Sequence, residues 1–256
     1  MHTCSFINKQ GKKCDNKVIE YSEKCHIKSH YDSIEEFQRI LKLSEKYFID
    51  STILLDNYIV IPILSDGACA YRCMAQALIT HKQIIEIDET DETKIADFLQ
   101  QSIREWIMKN KDMKISAEID YTLEQMVVDT HELTSLDEYN ELYKIFAGDN
   151  DFILEDTCKF TKRGKKITKK IFIQERWGGI PEIFVFSKMF KLNVSIYTPC
   201  RFDLRTCKIV KSSIKHKDTR LKVYEEFILD SKLPTVYFLH SETKNGHYEY
   251  LTLKCC

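Results

Sequence analysis

Apolar residues recur at helical spacing in six stretches of the chain, and elsewhere they alternate with polar residues or form short runs. Three- and four-residue spacing predicts helices, whereas alternation and β-branched runs predict strands. The predicted helices are Ser33–Phe48, the run from Cys69 to Leu78, Thr93–Met108, Thr122–Val128, Ser135–Phe146 and Pro181–Lys191. The predicted strands are Ile53–Leu64, Asn193–Tyr197, Thr235–His240 and the run that begins at His247.

Local signals refine two of these elements. Ser33 is a good N-cap with Glu36 three residues later, which predicts a capping box. A polar turn, Ser241–Gly246, joins the last two strands and predicts a hairpin. In the strand after that turn, His247 and Glu249 share one face, because successive side chains of a strand point to opposite sides.

Composition limits the class of protein. With 256 residues, 43% of them hydrophobic, the chain can bury one substantial core and carry a small appendage. The net charge of −1 gives no general attraction to nucleic acid or to an anionic membrane. Ten cysteines, with no signal peptide and no apolar run of eighteen, indicate a reducing compartment. We therefore expect a cytoplasmic monomer without a nucleic-acid or membrane partner.

One cysteine occupies a position that favours a reactive thiolate. The turn Ser65–Ala68 leads directly into the predicted helix, so Cys69 falls at or near a helix N-terminus. The aligned peptide dipoles there make a thiolate easier to form, and the N–H groups could hold an oxyanion. The alternative is a buried cysteine that packs the start of a core helix.

A candidate base lies near the end of the chain. His247 opens the last predicted strand, and Glu249 on the same face could hold its ring in one tautomer and stabilise the imidazolium. The alternative is a solvated histidine at a hairpin.

Glycine usage connects these stretches to a third one. Only seven glycines occur in the chain, and four of them lie beside Cys69, beside His247 or in Trp177–Glu182. These four are Gly67, Gly178, Gly179 and Gly246. A glycine-poor chain that keeps glycines there is expected to need positive φ or close backbone approach, so we treat the three stretches as one site.

The same residues carry a family resemblance. Asp66–Arg72, Trp177–Ser187 and His247–Glu249 resemble the three signature blocks of the ovarian-tumour (OTU) family of cysteine deubiquitinases, in the family's order. The resemblance implies an α+β, papain-like OTU cysteine protease fold, with a small mixed or antiparallel sheet flanked by helices. Ala68 and Ala70 depart from the family pattern, in which larger or polar residues are usual.

The resemblance also implies an activity. The chain would cleave the bond between the C-terminal glycine of ubiquitin, or of a ubiquitin-like protein, and a lysine or another ubiquitin. Cys69 would be the nucleophile and His247 the base, with Asp66 or Glu249 as the third catalytic residue. Two alternatives stay open, an inactive OTU-like scaffold that binds ubiquitin and a different papain-like thiol protease.

Substrate contacts follow from the same comparison. Backbone N–H groups from Asp66 to Cys69, the segment that holds Gly67 and Ala68, would receive the oxyanion. A narrow groove near Trp177, Gly178 and Gly179 would admit the ubiquitin tail. Catalysis would need no cofactor, and ubiquitin or polyubiquitin would be the partner.

The first thirty residues have a different character. Three cysteines and a histidine, a ligand set that suits tetrahedral zinc, stand among polar residues: Cys4, Cys14, Cys25 and His30, with His26 as an alternative ligand. Such a segment cannot fold on its own core, so a structural zinc would stabilise it; the alternative is a flexible tail. It resembles short Cys/His fingers that begin many proteins of large DNA viruses, which implies a viral source and the host cytoplasm. The predicted organisation is a finger at 1–32, a linking helix at 33–52 and the catalytic domain at 53–256.

Two charged runs have simpler interpretations. The acidic residues between Glu86 and Glu92 are expected at a helix N-terminus, with an acidic lip for the basic ubiquitin tail as the alternative. The basic run Lys159–Lys170 is expected to be a solvated hairpin tip, and contact with nucleic acid is the alternative.

Overall fold

The fold combines six α-helices and nine β-strands among the residues that the structure describes. The structure, a computed structural model, describes residues 5–8, 10–14, 24, 27–65, 67–81, 91–116, 120–145, 152–160, 166–172, 178–203, 208–212, 219–241 and 246–254. The helices are α1 (Ile34–Asp50), α2 (Cys69–His81), α3 (Glu92–Lys109), α4 (Leu123–His131), α5 (Leu136–Ile145) and α6 (Ile180–Phe190). The strands are β1 (Ile53–Leu54), β2 (Tyr58–Ile61), β3 (Phe152–Phe160), β4 (Lys166–Phe172), β5 (Asn193–Asp203), β6 (Lys208–Lys211), β7 (Arg220–Phe227), β8 (Thr235–Ser241) and β9 (His247–Leu253).

Seven of these strands form one mixed sheet in the order β1-β7-β5-β8-β9-β2, with β6 paired to β5. Strands β5 and β8 are parallel, and the other pairs of this sheet are antiparallel. The predicted α+β class is confirmed, and of the two sheet types left open, mixed or antiparallel, the sheet is mixed. Strands β8 and β9 form the predicted hairpin, which closes at the pair Ser241–His247. Strands β3 and β4 form a separate antiparallel pair, so the hairpin predicted around the basic run is present, while its tip at 161–165 lies outside the described residues.

The main core lies between one face of the sheet and the helices. Tyr248 and Tyr250 of β9 join this core, which α2, α3 and α6 cover with buried side chains. Leu251, one residue on, packs instead with Tyr58 and Leu239 in a second cluster. The alternation predicted for β9 is therefore confirmed. Each large apolar side chain that is fully buried here contributes about 1.5–3 kcal/mol.

Helix α1 begins at its predicted cap and docks on the sheet. The Ser33 hydroxyl accepts from the Glu36 N–H at 3.0 Å, but the Glu36 carboxylate accepts from the Asp32 N–H at 3.1 Å, one residue before the cap. The predicted capping box is therefore only half formed. At the other end, Arg220 of β7 donates to the Ile49 and Thr52 carbonyl oxygens at 2.8 and 2.9 Å. These bonds tie the end of α1 to the sheet.

Helix α3 differs from the prediction at one position. Helical spacing from Ile95 through Leu99 and Ile103 predicts Phe98 on the same apolar stripe. In the structure 48% of Phe98 is exposed, and Ile107 is buried in the core instead. Within the described part of the chain, no helix is both long and apolar enough to cross a bilayer.

Candidate active site

The first residue of α2 is Cys69, as the sequence predicts. The Arg72 N–H donates to the Ala68 carbonyl at 3.0 Å, so Ala68 is the residue that begins the helical hydrogen bonding. Gly67 has a φ of +84°, a conformation that is unfavourable for residues with a Cβ, and it turns the chain from β2 into the helix. Asp66, between Ser65 and Gly67, lies outside the described residues.

A hydrogen bond joins Cys69 to the last strand. The Tyr248 N–H donates to Cys69 Sγ at 3.4 Å. Strand β2 pairs with β9 only as far as Ile61 and Tyr250, so at Tyr248 the sulfur rather than a strand carbonyl receives the amide. This bond places the partly exposed thiol beside the start of β9, where His247 lies.

His247 is buried, with 6% of its surface exposed, and it closes the β8–β9 hairpin. The Ser65 hydroxyl lies 3.2 Å from His247 Nδ1 and 3.5 Å from Nε2. The contact of Ser65 with this ring was not predicted from the sequence. A serine in a turn before a helix is common for local capping reasons, so no sequence signal distinguishes this contact.

Glu249 is buried on the same strand, two residues beyond His247, with 8% of its surface exposed. Its negative charge disfavours ionisation of Cys73, the thiol one helical turn after Cys69. Burial raises the pKa of the Cys73 thiol well above its usual value, and the charges of Cys69 and Glu249 raise it further. Cys73 therefore stays a neutral core thiol, the role that the alternative interpretation had given to Cys69.

The glycine pair lies directly against the cysteine helix. A Cβ on Gly178 would be 3.0 Å from Tyr71 Cε2 and 3.1 Å from Ala70 Cβ, so the predicted close approach is confirmed there. Around Gly179 the nearest atom would be at 3.4 Å and φ is −120°, so the expectation of positive φ or tight approach is wrong at this position. Trp177, the third residue of the predicted groove, lies outside the described residues.

A buried carboxylate holds this glycine segment. Glu182 Oε2 accepts from the Gly179 N–H at 2.7 Å, while Oε1 accepts from the Tyr139 hydroxyl and lies 2.9 Å from His131 Nε2. Burial alone would lower the pKa of His131, but the charge and hydrogen bond of Glu182 outweigh burial and raise it. Burial likewise would raise the pKa of Glu182, and the charge of His131 with the hydrogen bonds lowers it. Each partner therefore favours the charged form of the other.

The contacts of Glu182 with α4 and α5 were not predicted from the sequence. Its place three residues after Gly179 is the capping position, and this signal could have identified the bond to the Gly179 N–H. No comparable sequence signal identifies His131 and Tyr139 as partners of Glu182, because their approach depends on how α4, α5 and α6 pack.

Together these residues form the candidate nucleophile site. A thiol at a helix start lies next to a strand that carries a buried histidine and a buried carboxylate. A family model, described as OTU-like cysteine protease, matches residues 64–248. This match spans well over half of the chain. The chain belongs to the family of OTU-like cysteine proteases.

Several solved OTU structures are similar to this chain. The Hazara virus OTU bound to ubiquitin is 15% identical with a TM-score of 0.45, and the alignment covers 80% of this chain and 87% of that one. The viral OTU domain protease from Qalyub virus is 14% identical with a TM-score of 0.44, covering 79% and 89%. An OTU deubiquitinase from Wolbachia pipientis wMel bound to ubiquitin is 14% identical with a TM-score of 0.34, covering 77% and 97%. No curated protein matches the sequence.

The bounds of the OTU match agree with the site. The matched region begins at Leu64, beside the Ser65 contact, and ends at Tyr248, whose N–H holds the thiol. It includes Cys69, Gly178 and His247, and it ends one residue before Glu249.

The first thirty residues lie outside the OTU match, and two of their four proposed metal ligands are described. The Cys14 N–H donates to the Phe6 carbonyl at 3.0 Å, and the His30 ring stacks on the Phe6 ring with centroids 3.8 Å apart. Cys4, Cys25 and the alternative His26 lie outside the described residues. In the part of the chain that is described, no three His, Cys, Asp or Glu side chains form a metal-binding group.

Proposed function

We propose that this OTU protein is a cysteine deubiquitinase that hydrolyses the bond between the C-terminal glycine of ubiquitin and an amine of a lysine or of another ubiquitin. The observation that carries the proposal is the hydrogen bond from the Tyr248 N–H to Cys69 Sγ. It joins a helix-start thiol to the strand of the candidate base, in a chain of a cysteine protease family.

In the proposed mechanism His247 takes the proton of Cys69, and the thiolate attacks the terminal glycine carbonyl. Collapse of the tetrahedral intermediate breaks the C–N bond, and the imidazolium of His247 gives its proton to the departing amine. Water, deprotonated by His247, then attacks the thioester and releases the ubiquitin carboxylate with the thiol restored.

The start of α2 supports the charge that develops on the attacked oxygen. Amides in the first turn of a helix point towards its start, and their dipoles favour a negative charge there. We propose that the backbone N–H groups from Asp66 to Cys69 receive the oxyanion, as the sequence predicts. Gly178, packed on Ala70 and Tyr71, would form one wall of the groove for the ubiquitin tail together with Gly179 and Trp177.

We propose Glu249 rather than Asp66 as the third catalytic residue. A buried carboxylate two residues from His247 on one strand stabilises the imidazolium that forms when Cys69 loses its proton. The Ser65 hydroxyl, 3.2 Å from Nδ1, would hold the ring in place as an additional contact.

The direct test is a ubiquitin that carries an electrophile at its C-terminus. We expect the wild-type protein to form one covalent adduct, visible as a mass increase of one ubiquitin in intact-protein mass spectrometry. Cys69→Ala should form none, because the attacking sulfur is gone. The same pair of proteins should differ in hydrolysis of a fluorogenic ubiquitin substrate by at least about 10³-fold, since residual rates without the nucleophile are very low.

Cys73→Ala is the matched control, since Cys73 is a thiol on the same helix that is fully buried. This variant should keep the adduct. An adduct on Cys69→Ala, or none on the wild type, contradicts the proposal. Binding of ubiquitin by the wild type without adduct or turnover would identify an inactive scaffold instead.

We further propose that Cys4, Cys14, Cys25 and His30 hold a structural zinc ion. The observation that favours it is that Cys14 and His30 both contact Phe6. The Cys14 N–H donates to the Phe6 carbonyl, and the His30 ring stacks on the Phe6 ring. Thiolate and imidazole groups are the ligands that structural zinc sites use. His26 is the alternative fourth ligand.

A further inference from the structure

We infer that Glu182 is a positioning residue of the OTU site: held by His131 and Tyr139, its carboxylate fixes the Gly178–Gly179 segment against the cysteine helix, where the ubiquitin tail must pass. The inference rests on the proposed function, because it assigns this segment as a wall of the substrate groove.

Both oxygens of the carboxylate are occupied. Glu182 is completely buried in the first turn of α6, and Oε2 receives the Gly179 N–H at 2.7 Å. Oε1 receives the Tyr139 hydroxyl at 2.9 Å and pairs with His131 Nε2 at the same distance. A carboxylate that only capped α6 would use one oxygen and could rotate. Here groups from α4 and α5 fix the second oxygen, so the plane of the carboxylate is set.

The Gly178–Gly179 segment packs against α2, the helix that begins with Cys69. Gly178 is buried against Ala70 and Tyr71, the two residues after Cys69. Gly179 lies near Thr130, the neighbour of His131 on α4. The segment is therefore held between the start of α2 on one side and the Glu182 carboxylate on the other. A small rotation of the carboxylate would shift the Gly179 amide, and with it the wall of the groove.

This arrangement predicts a specific kinetic effect. Loosening the carboxylate leaves the Tyr248 bond to Cys69 and the Ser65 contact of His247 unchanged, so the chemical step should keep its rate once substrate is bound. The binding of the extended tail should weaken, because a mobile wall must be ordered each time. The expected signature is a rise in KM with little change in kcat.

The test compares two tyrosine-to-phenylalanine variants. Tyr139→Phe removes one donor from Glu182, and Tyr121→Phe removes a matched hydroxyl that donates to Asp129 at 2.8 Å rather than to Glu182. With a fluorogenic ubiquitin substrate, Tyr139→Phe should raise KM by about five- to twenty-fold and change kcat by less than about two-fold, as the loss of a charged hydrogen bond would do. Tyr121→Phe should match the wild type.

Two variants of His131 test whether a folding defect could explain the change in KM. His131→Gln places an amide N–H near the position of Nε2 and should keep KM within about three-fold of the wild type, whereas His131→Ala should raise it as Tyr139→Phe does. Hydrogen exchange of the peptide that covers residues 178–180 provides a second measurement, and it should become faster in Tyr139→Phe and His131→Ala only.

Alkylation of Cys69 by chloroacetamide separates the two proposals. Its rate should be the same in all five proteins, because this small reagent does not use the groove. If wild-type protein does not turn over ubiquitin, the proposed function fails. If it does, and KM in Tyr139→Phe and His131→Ala equals that of Tyr121→Phe, or if kcat falls instead of KM rising, the positioning role of Glu182 is refuted.

Discussion

Two thiols one helical turn apart show how single residues acquire different chemistry. Cys69, partly exposed at the helix start, accepts the Tyr248 N–H, and a sulfur that accepts a hydrogen bond is favoured as the anion. Cys73 is completely buried among apolar side chains, and burial raises the pKa of its thiol far above neutral pH. The same residue type on one helix therefore serves as candidate nucleophile in one place and as core packing in the other.

The role proposed for Glu249 predicts the effect of a single substitution. Glu249→Gln keeps the shape of the side chain and removes the charge that stabilises the imidazolium of His247, so kcat/KM should fall by about 10²-fold or more. Steady-state hydrolysis of a fluorogenic ubiquitin substrate measures this change.

The matched control is Glu226→Gln, which neutralises a carboxylate on β7 that accepts from the Ser195 hydroxyl at 3.0 Å. Its kcat/KM should stay within about two-fold of the wild type. A large loss in Asp66→Asn together with a small loss in Glu249→Gln would assign the role to Asp66 instead.

Elements interact here through one buried ion pair. The start of α6 is capped by Glu182, and this carboxylate also anchors the end of α4 through His131 and the side of α5 through Tyr139. The three helices thus share one charged group, so the protonation of His131 or Glu182 affects all of them together.

This pair makes stability depend on pH in a defined range. The pKa of His131 is raised, so its contribution is complete below the ordinary value of about 6.5 and is lost as pH rises through the higher folded value. The pKa of Glu182 is lowered, so its contribution is complete above about 4.5 and is lost as pH falls through the lower folded value. The pair should therefore stabilise the fold most between about pH 4.5 and 6.5.

Urea unfolding across pH 3 to 9 tests this expectation on the wild type and His131→Gln. The wild type should gain on the order of 1–2 kcal/mol over the variant between about pH 4.5 and 6.5, and less on either side. The other groups near the pair, Tyr139 and Tyr248, are phenols that ordinarily titrate near pH 10, outside the informative range.

His81→Gln provides a control of opposite sign. Burial lowers the pKa of His81, so this residue should cost the wild type stability as pH falls below about 6.5. A constant difference between the wild type and His131→Gln at every pH would contradict the ion pair.

At the scale of the whole molecule, the sheet brings distant parts of the chain together. Strand β9, from the end of the chain, lies between β8 and β2, and β2 leads into the cysteine helix. The first thirty residues connect to this body through α1. Arg220 and the contact of Phe48 with Phe202 dock that helix on β5 and β7, not on the strands that carry His247 and Tyr248.

This separation predicts that zinc and catalysis are independent. The purified protein should contain about one zinc per chain, and Cys14→Ser should contain less, because a thiolate ligand is lost. Ubiquitin hydrolysis should be unchanged in Cys14→Ser. Metal analysis by mass spectrometry, alongside the hydrolysis assay, measures both.

Cys200→Ser is the matched control for the thiol, since Cys200 Sγ donates to the Arg220 carbonyl at 3.4 Å and a serine can make the same bond. Its zinc content should equal that of the wild type. Wild-type protein that binds no zinc when refolded with the metal would exclude the site.

Local patterns were sufficient to predict most elements and part of the site. The cap at Ser33, the turn glycine before Cys69, the proline at the start of α6 and the hairpin before His247 each depend on neighbours within a few residues. Such signals survive in a bare sequence because backbone geometry acts over one or two turns. The order of three short blocks was then enough to indicate the family.

The tertiary structure alone decided which distant groups meet. The contact of Ser65 with His247, the bond from Tyr248 to Cys69, the approach of His131 and Tyr139 to Glu182, and the exposure of Phe98 all depend on how helices and strands pack. These contacts join residues far apart in the chain, and a polar side chain carries no local mark of the partner it will find. The sequence by itself determined the elements and the candidate chemistry. Packing determined the geometry in which that chemistry is held.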